Sequence, residues 1–269
     1  MDTQYLKVAS GTIAYDDTGH GPLVVCVPGL GDVRASYRFL TPYLLDAGYR
    51  VVTMDLRGQG ESSVGWPDYK DTSIAQDVLA LVHALNAGAA FLLGNSYGGA
   101  AVAYVAPLDP KSFAGLVLLD AFVRDVPQTL LQRVGVWAIA RLGVGAWTSY
   151  YKSLYKTTPP ADLDDYVTAL RTNLKQQGRY AATKAMTYGS HATVEAHLHE
   201  IQAPTLIVMG SKDPDFPHPA TEAQHTAEQL QGASTTQVQM IEGAGHYPHV
   251  EMPAHVAPLI LSFFHQVRG

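Results

Sequence analysis

The sequence predicts an α/β fold, a mostly parallel, doubly wound sheet with a block of helices inserted after a central strand. Three observations predict it. Short β-rich runs recur at residues 23–27, 50–55, 91–95, 115–120, 205–210 and 237–241. Helical patterns stand between several of these runs, which is the alternation of a parallel sheet whose crossovers are helices. The alternation lapses between residues 124 and 188, where a segment rich in Tyr, Trp, Leu and Gly has helical rather than strand periodicity.

Taken in order, the N-terminal "MDTQYLKVASGTIAYDDTG" alternates like a strand pair. It has no basic start followed by an apolar core, so no signal peptide is read there. The run "LVVCVPG" carries Cys26, the single cysteine, which reads as a buried small hydrophobe and fits a reducing compartment such as the cytoplasm. The clearest helix is expected to begin at Ser73, where Ser73 and Gln76 have capping-box spacing, with Ile74, Val78, Leu81, Val82 and Leu85 on one face. Asn86 and Gly88 are its expected breakers. Within the insertion, "TLLQRVGVWAIARLGVGAW" is the longest apolar-leaning stretch, but Arg133, Arg141 and its glycines argue for amphipathic helices and against stable membrane insertion. The "TTPP" at 157–160 breaks the insertion, and an amphipathic segment at 193–201 leads back to the strand "TLIVMG". The expected organisation is a core of residues 1–123 and 189–269 carrying a helical cap at 124–188.

Composition narrows the function. With 47% hydrophobic and 16% charged residues the 269-residue chain is globular, and a net charge of -6 without a basic run excludes a phosphate-tracking surface, so no nucleic acid is expected as a partner. No dinucleotide fingerprint, phosphate loop or histidine pair at metal-like spacing is present, and no cofactor or metal is expected.

Chemistry concentrates in "FLLGNSYGGAAVAYVA", residues 91–106. An apolar strand gives way to a small-residue helix through Gly94, Asn95, Ser96, Tyr97, Gly98 and Gly99, almost without a loop. A serine at such a bend is held on a strained backbone with its hydroxyl outward, which is the geometry of a nucleophile elbow. A serine hydroxyl needs a base to take its proton and a third group to orient that base. His246 stands out among 11 histidines because "GAGHYPHVEMP" places it in a Gly-rich turn after the last strand, within reach of the carboxyl edge of a parallel sheet. Three acids follow strand ends and could orient it: Asp213 and Asp215 in "TLIVMGSKDPDFP", and Asp120 in "GLVLLD".

Four motifs then stand in order: "VPGLGD", "DLRGQGESS" at 55–63, "GNSYGG", and "GSKDPDFP" followed by "GAGHYPHVEMP". With them the chain resembles the α/β-hydrolase-fold proteins of the Ser-His-Asp type, over roughly residues 5–123 and 190–267. The resemblance implies Ser96 as nucleophile, His246 as general base and then acid, and Asp213, which matches a Gly-x-x-Asp-x-x-x-Pro pattern, as the orienting carboxylate. In some relatives the acid follows the strand where Asp120 sits. The resemblance further implies an oxyanion hole from the backbone N–H groups of Leu30 and Tyr97. Here the chain departs from the common pattern, having Pro28 and Gly29 where many relatives have His-Gly. Asp32 reads as a turn or cap residue, and Asp55, Arg57 and Gly58 as loop-shaping residues with no chemical step.

The expected function is a serine esterase acting on a small molecule with an apolar or aromatic acyl group, with activity rising through a histidine pKa of about 6.5. Trp137, Trp147, Tyr150, Tyr151 and Tyr155 are candidates for the cap's underside. Rival readings are another reaction on the same triad (C–C bond, lactone or thioester hydrolysis, a lyase step, perhydrolysis) and a ligand-binding receptor that keeps the fold.

Overall fold

The computed structural model describes residues 2–127 and 130–269. Eight strands form one sheet: β1 (Gln4–Val8), β2 (Gly11–Thr18), β3 (Leu23–Val27), β4 (Arg50–Met54), β5 (Ala90–Asn95), β6 (Phe113–Leu119), β7 (Thr205–Gly210) and β8 (Thr236–Ile241). Their spatial order is β1-β2-β4-β3-β5-β6-β7-β8. The N-terminal hairpin and the β2–β4 pair are antiparallel, and every later pairing is parallel. The architecture is the α/β-hydrolase fold that the motifs imply.

The strand runs are continuously apolar because both faces of a parallel sheet are covered. Along β3, Leu23, Val25 and Val27 enter one core cluster, while Val24 and Cys26 enter the other. The same alternation divides Leu116 and Leu118 of β6 from Val117 and Leu119. One face is covered by α2 (Asp71–Leu85), α3 (Tyr97–Val105) and α8 (Ala192–His197), the other by α1 (Thr41–Asp46) and α11 (Pro253–Arg268). Between β6 and β7 run α4 (Leu130–Leu142), α5 (Val144–Ser153), α6 (Leu163–Leu174) and α7 (Arg179–Thr187). Helices α9 (Pro219–Gln229) and α10 (Pro248–Glu251) follow β7 and β8. Among the described residues no helix is long and apolar enough to cross a membrane. The long apolar-leaning stretch is described from Leu130 onward, its Thr129 lying outside the described residues.

One boundary differs from expectation. Helix α2 starts at Asp71, two residues before the expected cap, and Lys70 at its N-cap makes no side-chain cap bond. Ser73 is already inside the first turn, where its N–H donates to the Lys70 carbonyl at 3.1 Å, so a capping box cannot form there. The far end is as expected: Asn86 closes the helix in the left-handed region, with φ 45°.

Helices α5 and α6 meet the chain that follows β8 through a third cluster, in which Trp147, Tyr151, Leu154, Tyr155 and Leu170 pack with Tyr247 and Val250.

Candidate active site

Ser96 links β5 to α3 with φ 53° and ψ −123°, a conformation that costs a non-glycine residue of the order of 1–3 kcal/mol. The surrounding backbone holds it there. The Ser96 N–H donates to the Leu119 carbonyl at 3.0 Å, and its own carbonyl accepts from Gly99 and Phe122 at 2.9 and 3.2 Å. The three glycines answer to close approach. A Cβ at Gly94 would lie 2.6 Å from the Gly98 carbonyl oxygen, one at Gly98 2.3 Å from that of Pro28, and one at Gly99 2.3 Å from the Ala121 Cβ. The strand and helix cross at a distance that no larger residue permits.

Asp213 and His246 arrive from the ends of the last two strands, β7 and β8. His246 lies in the loop after β8, buried, and its Nδ1 donates to Asp213 Oδ2 at 2.6 Å. Its carbonyl accepts from Asn95 Nδ2 at 3.2 Å, which ties the histidine loop to the residue preceding Ser96. The two other acids are held differently. Asp215 Oδ2 is 3.9 Å from His246 Nδ1, beyond hydrogen-bond range, while its Oδ1 accepts from the Tyr150 hydroxyl at 2.5 Å. Asp120 Oδ1 accepts from the Gly210 N–H at 2.8 Å. Ser96 and His246 line one cavity. No hydrogen bond between these two side chains is formed among the described residues.

Electrostatics at His246 follow from its neighbours. Burial opposes its positive charge, but the charge and hydrogen bond of Asp213, with the charges of Asp215 and Asp32, outweigh it and raise the pKa to about 9. His246 is therefore held well above the value of about 6.5 expected from sequence. His249, three residues on, is buried and stacked on Tyr37; burial and the neighbouring charges of His246 and Arg38 lower its pKa to about 3. It is neutral and faces no substrate space. One ligand atom each of Asp120, Asp213 and His246 falls within 4.8 Å of the others, a spacing open to a cation. The 2.6 Å contact between His246 and Asp213 is instead the length of a charge-assisted hydrogen bond.

The Leu30 and Tyr97 amides donate to no acceptor among the described residues. Tyr97 is the first residue of α3, where an N–H has no intrahelical partner. The Leu30 loop approaches the elbow so closely that a Cβ on Gly29 would sit 3.1 Å from the Ser96 Cβ. Pro28 in place of a histidine leaves both amides available.

A family model described as the alpha/beta hydrolase family matches residues 24–259. The chain belongs to the alpha/beta hydrolase family. It is 25% identical, over 94% of its length and 95% of the relative's, to the AB hydrolase superfamily protein YisY of Bacillus subtilis. Its fold superposes on a thermophilic esterase from Thermogutta terrifontis with a TM-score of 0.78 at 25% identity, covering 99% of this chain and 100% of the esterase. A bromoperoxidase from Bacillus anthracis gives a TM-score of 0.85 at 21% identity, covering 98% and 100%, and shows the fold alone.

In this α/β hydrolase the cavity beside Ser96 has a volume of about 920 Å³ and is walled largely by apolar groups, among them Phe122, Val136, Ile139 and Met186. Of the aromatic residues expected beneath the cap, Trp147 and Tyr150 line it. Trp137 does not: it is 58% exposed on the outer face of α4. Tyr151 does not either, being fully buried with its hydroxyl on Asp32 Oδ2 at 2.9 Å, and Tyr155 is buried beside it at 3.1 Å. Both were expected on the underside because an aromatic-rich helix has several faces, and periodicity alone does not say which of them meets the ligand.

One residue of this hydrolase is read only in part from sequence and another is missed. Asp32, expected as a turn or cap residue, does close a turn, its N–H donating to the Gly29 carbonyl at 3.4 Å, but it is also a fully buried carboxylate that accepts from the Tyr166 hydroxyl at 2.5 Å, from Tyr151, and from the Val33 N–H. Burial raises its pKa to about 6 against the opposing hydrogen bonds. Glu251, buried, accepts from the backbone N–H groups of Lys156, Thr157 and Thr158 with one oxygen and from Gly245 with the other at 2.9 Å. It fastens the "TTPP" segment to the loop carrying His246. The "DLRGQGESS" loop is structural as expected. Asp55 accepts from the Arg34 and Glu61 amides, and Arg57 forms a two-point ion pair with Asp77 at 2.7 and 2.9 Å.

Proposed function

We propose that this α/β hydrolase is a cofactor-free serine hydrolase that cleaves carboxylic esters through an acyl-enzyme on Ser96. The observation that carries the reading is the 2.6 Å bond from His246 Nδ1 to Asp213, on an imidazole that shares a mainly apolar cavity with the hydroxyl of a strained elbow serine. With the Nδ1 proton held by Asp213, Nε2 is the nitrogen free to accept.

Ser96 Oγ attacks the ester carbonyl carbon as its proton passes to His246 Nε2. The tetrahedral oxyanion accepts from the Leu30 and Tyr97 amides, each such donor contributing about 3 kcal/mol to the transition state. Collapse expels the alcohol, which takes the proton from His246. Water then attacks the acyl-enzyme with His246 as base, releasing the acid and restoring the Ser96 hydroxyl. Residues 124–188 serve as a cap over this site, and residues 1–123 and 189–269 as the core. Trp147 and Tyr150 contact an apolar or aromatic acyl group. The esterase likeness supports this class of substrate, and the single buried thiol suits a reducing compartment such as the cytoplasm.

The test is intact-protein mass after exposure to a fluorophosphonate, run beside Ser96→Ala, with turnover of p-nitrophenyl esters of increasing acyl length. One adduct that vanishes in the variant, with turnover falling by on the order of 10³-fold or more, is expected. An adduct that survives in Ser96→Ala, or a folded protein that does not label, overturns the reading. Labelling without turnover of any ester would move the assignment to another reaction on the same residues. Because only neutral imidazole can take the serine proton, kcat/KM is expected to rise with pH along a limb displaced alkaline of 6.5 toward 9.

A further inference from the structure

Asp120 is a buried acid that the proposed chemistry leaves unused. It sits at the carboxyl end of β6 with φ 44°, a left-handed conformation that Asp and Asn adopt more readily than other side-chain-bearing residues. Its N–H donates to the Val208 carbonyl at 2.9 Å and its Oδ1 accepts from Gly210, so both its backbone and one carboxyl oxygen are pinned to β7. Its Oδ2 is buried and has no partner.

The four carboxyl oxygens of Asp120 and Asp213 are unequally served. Asp213 Oδ2 receives His246 Nδ1 at 2.6 Å, and Asp213 Oδ1 receives the Asp215 N–H at 2.9 Å. Asp120 Oδ1 receives Gly210, and Asp120 Oδ2 receives nothing. Both side chains are buried and close enough to meet the same imidazole within 4.8 Å. Two carboxylates at such range in a dry site do not both ionise, and the proton goes to the one with fewer donors. A proton on Asp120 Oδ2 also gives an otherwise orphaned oxygen a bond to make.

We propose that Asp120 is a positioning residue, a neutral carboxylic acid whose Oδ2–H donates to the Asp213 carboxylate and holds it against His246 Nδ1. The inference rests on the reading of Asp213 and His246 as acid and base. The charged and titratable groups facing it are Asp213 and Asp215 from the loop after β7, with Tyr150 and Lys156 beyond Asp215, and His246 from the loop after β8. Burial first, and then the Asp213 charge, hold the Asp120 carboxyl well above the ordinary carboxylate range.

Exchange of Asp120 for Asn replaces O–H by N–H and keeps both the left-handed backbone and the Gly210 acceptor. Exchange for Ala removes both bonds. Asp120→Ala is expected to lower kcat about tenfold to a hundredfold with little change in KM, from the loss of two buried hydrogen bonds. Asp120→Asn is expected to recover at least tenfold of a hundredfold loss. The deciding readouts follow charge and not packing. If Asp120 is neutral, Asp120→Asn leaves the alkaline limb of kcat/KM where it stands in the parent enzyme. Infrared spectra of the folded parent at neutral pH then contain a protonated-carboxyl carbonyl band that Asp120→Asn abolishes.

A limb that moves acidic in Asp120→Asn, with no band lost, would mean that a carboxylate was removed and overturns the proposal. So would an Asp120→Asn enzyme as impaired as Asp120→Ala, which would make Asp120 itself the triad acid. Asp213→Asn separates this failure from that of the underlying reading. If it leaves the fluorophosphonate labelling rate unchanged, the assignment of Asp213 is wrong and that of Asp120 falls with it. If it slows labelling while Asp120→Asn moves the limb, only the role of Asp120 is wrong.

Discussion

Around Ser96 the backbone itself sets the geometry: Gly94, Gly98 and Gly99 are in contact with main chain or Cβ atoms that leave no space for a side chain. Around α5 and α6 the work is done by hydrogen bonds to carboxylates, from the Tyr151 and Tyr166 hydroxyls to Asp32, from the Tyr150 hydroxyl to Asp215, and from the backbone N–H groups of residues 156–158 to Glu251. The difference teaches that one half of the site is fixed by steric exclusion, which tolerates no substitution, and the other by polar bonds, which can be weakened one at a time.

Breaking the steric half should have the largest effect on stability. Gly98→Ala sets a methyl group against two carbonyl oxygens at 2.3 and 2.5 Å, and is expected to cost about 3 kcal/mol and abolish fluorophosphonate labelling. Urea unfolding beside the labelling assay reads both. Glu251→Ala strips the acceptor from four backbone N–H groups and should cost about 2 kcal/mol, with ester turnover falling because the His246 loop loses its fastening. Unchanged turnover would show that the loop is held without it.

Asp32→Asn sharpens the comparison through a slope. An acid whose folded pKa is raised to about 6 from 3.8 binds its proton more tightly in the folded state, so its stabilisation is complete below 3.8 and is lost as pH rises to 6. The melting temperature of the variant is expected to rise relative to that of the parent as pH goes from 3.8 to 6, the variant lacking this group's share of the fall. The smallest effect is expected at Trp137, whose exposed ring should be replaceable by Ala within about 0.5 kcal/mol and without change in KM.

The same division governs what could be read from sequence. Close approach demands glycine, and glycine is visible, so the elbow, the sheet that feeds it and the Gly-rich turn of His246 could be inferred from residues alone. Three acids follow strand ends, and it is the resemblance, through the Gly-x-x-Asp-x-x-x-Pro pattern, that favours Asp213; what sequence does not contain is the contact of 2.6 Å from Asp213 to the His246 Nδ1 against 3.9 Å for Asp215. Asp32 and Glu251 escaped as buried acceptors because their partners lie far along the chain, 134 positions away for Tyr166 and 94 for Thr157. Their own surroundings, "GLGD" and "HVEMP", resemble ordinary turns. Ser73 misled in the opposite direction, offering a local signal that the first turn of α2 did not use.

The His246 N–H donates to the Leu154 carbonyl at 3.0 Å, and Gly245 lies so near that a Cβ there would stand 1.9 Å from that oxygen. The residue that follows α5 is thus joined to the main chain of the proposed base. A hinge that raised α5 from the sheet would carry the imidazole away with it. Arg133 on α4 and the 62% exposed Tyr188 after α7 also line the cavity, on elements whose displacement would leave that bond in place. The cavity wall is thus divided between a part coupled to the proposed base and a part that can shift without it.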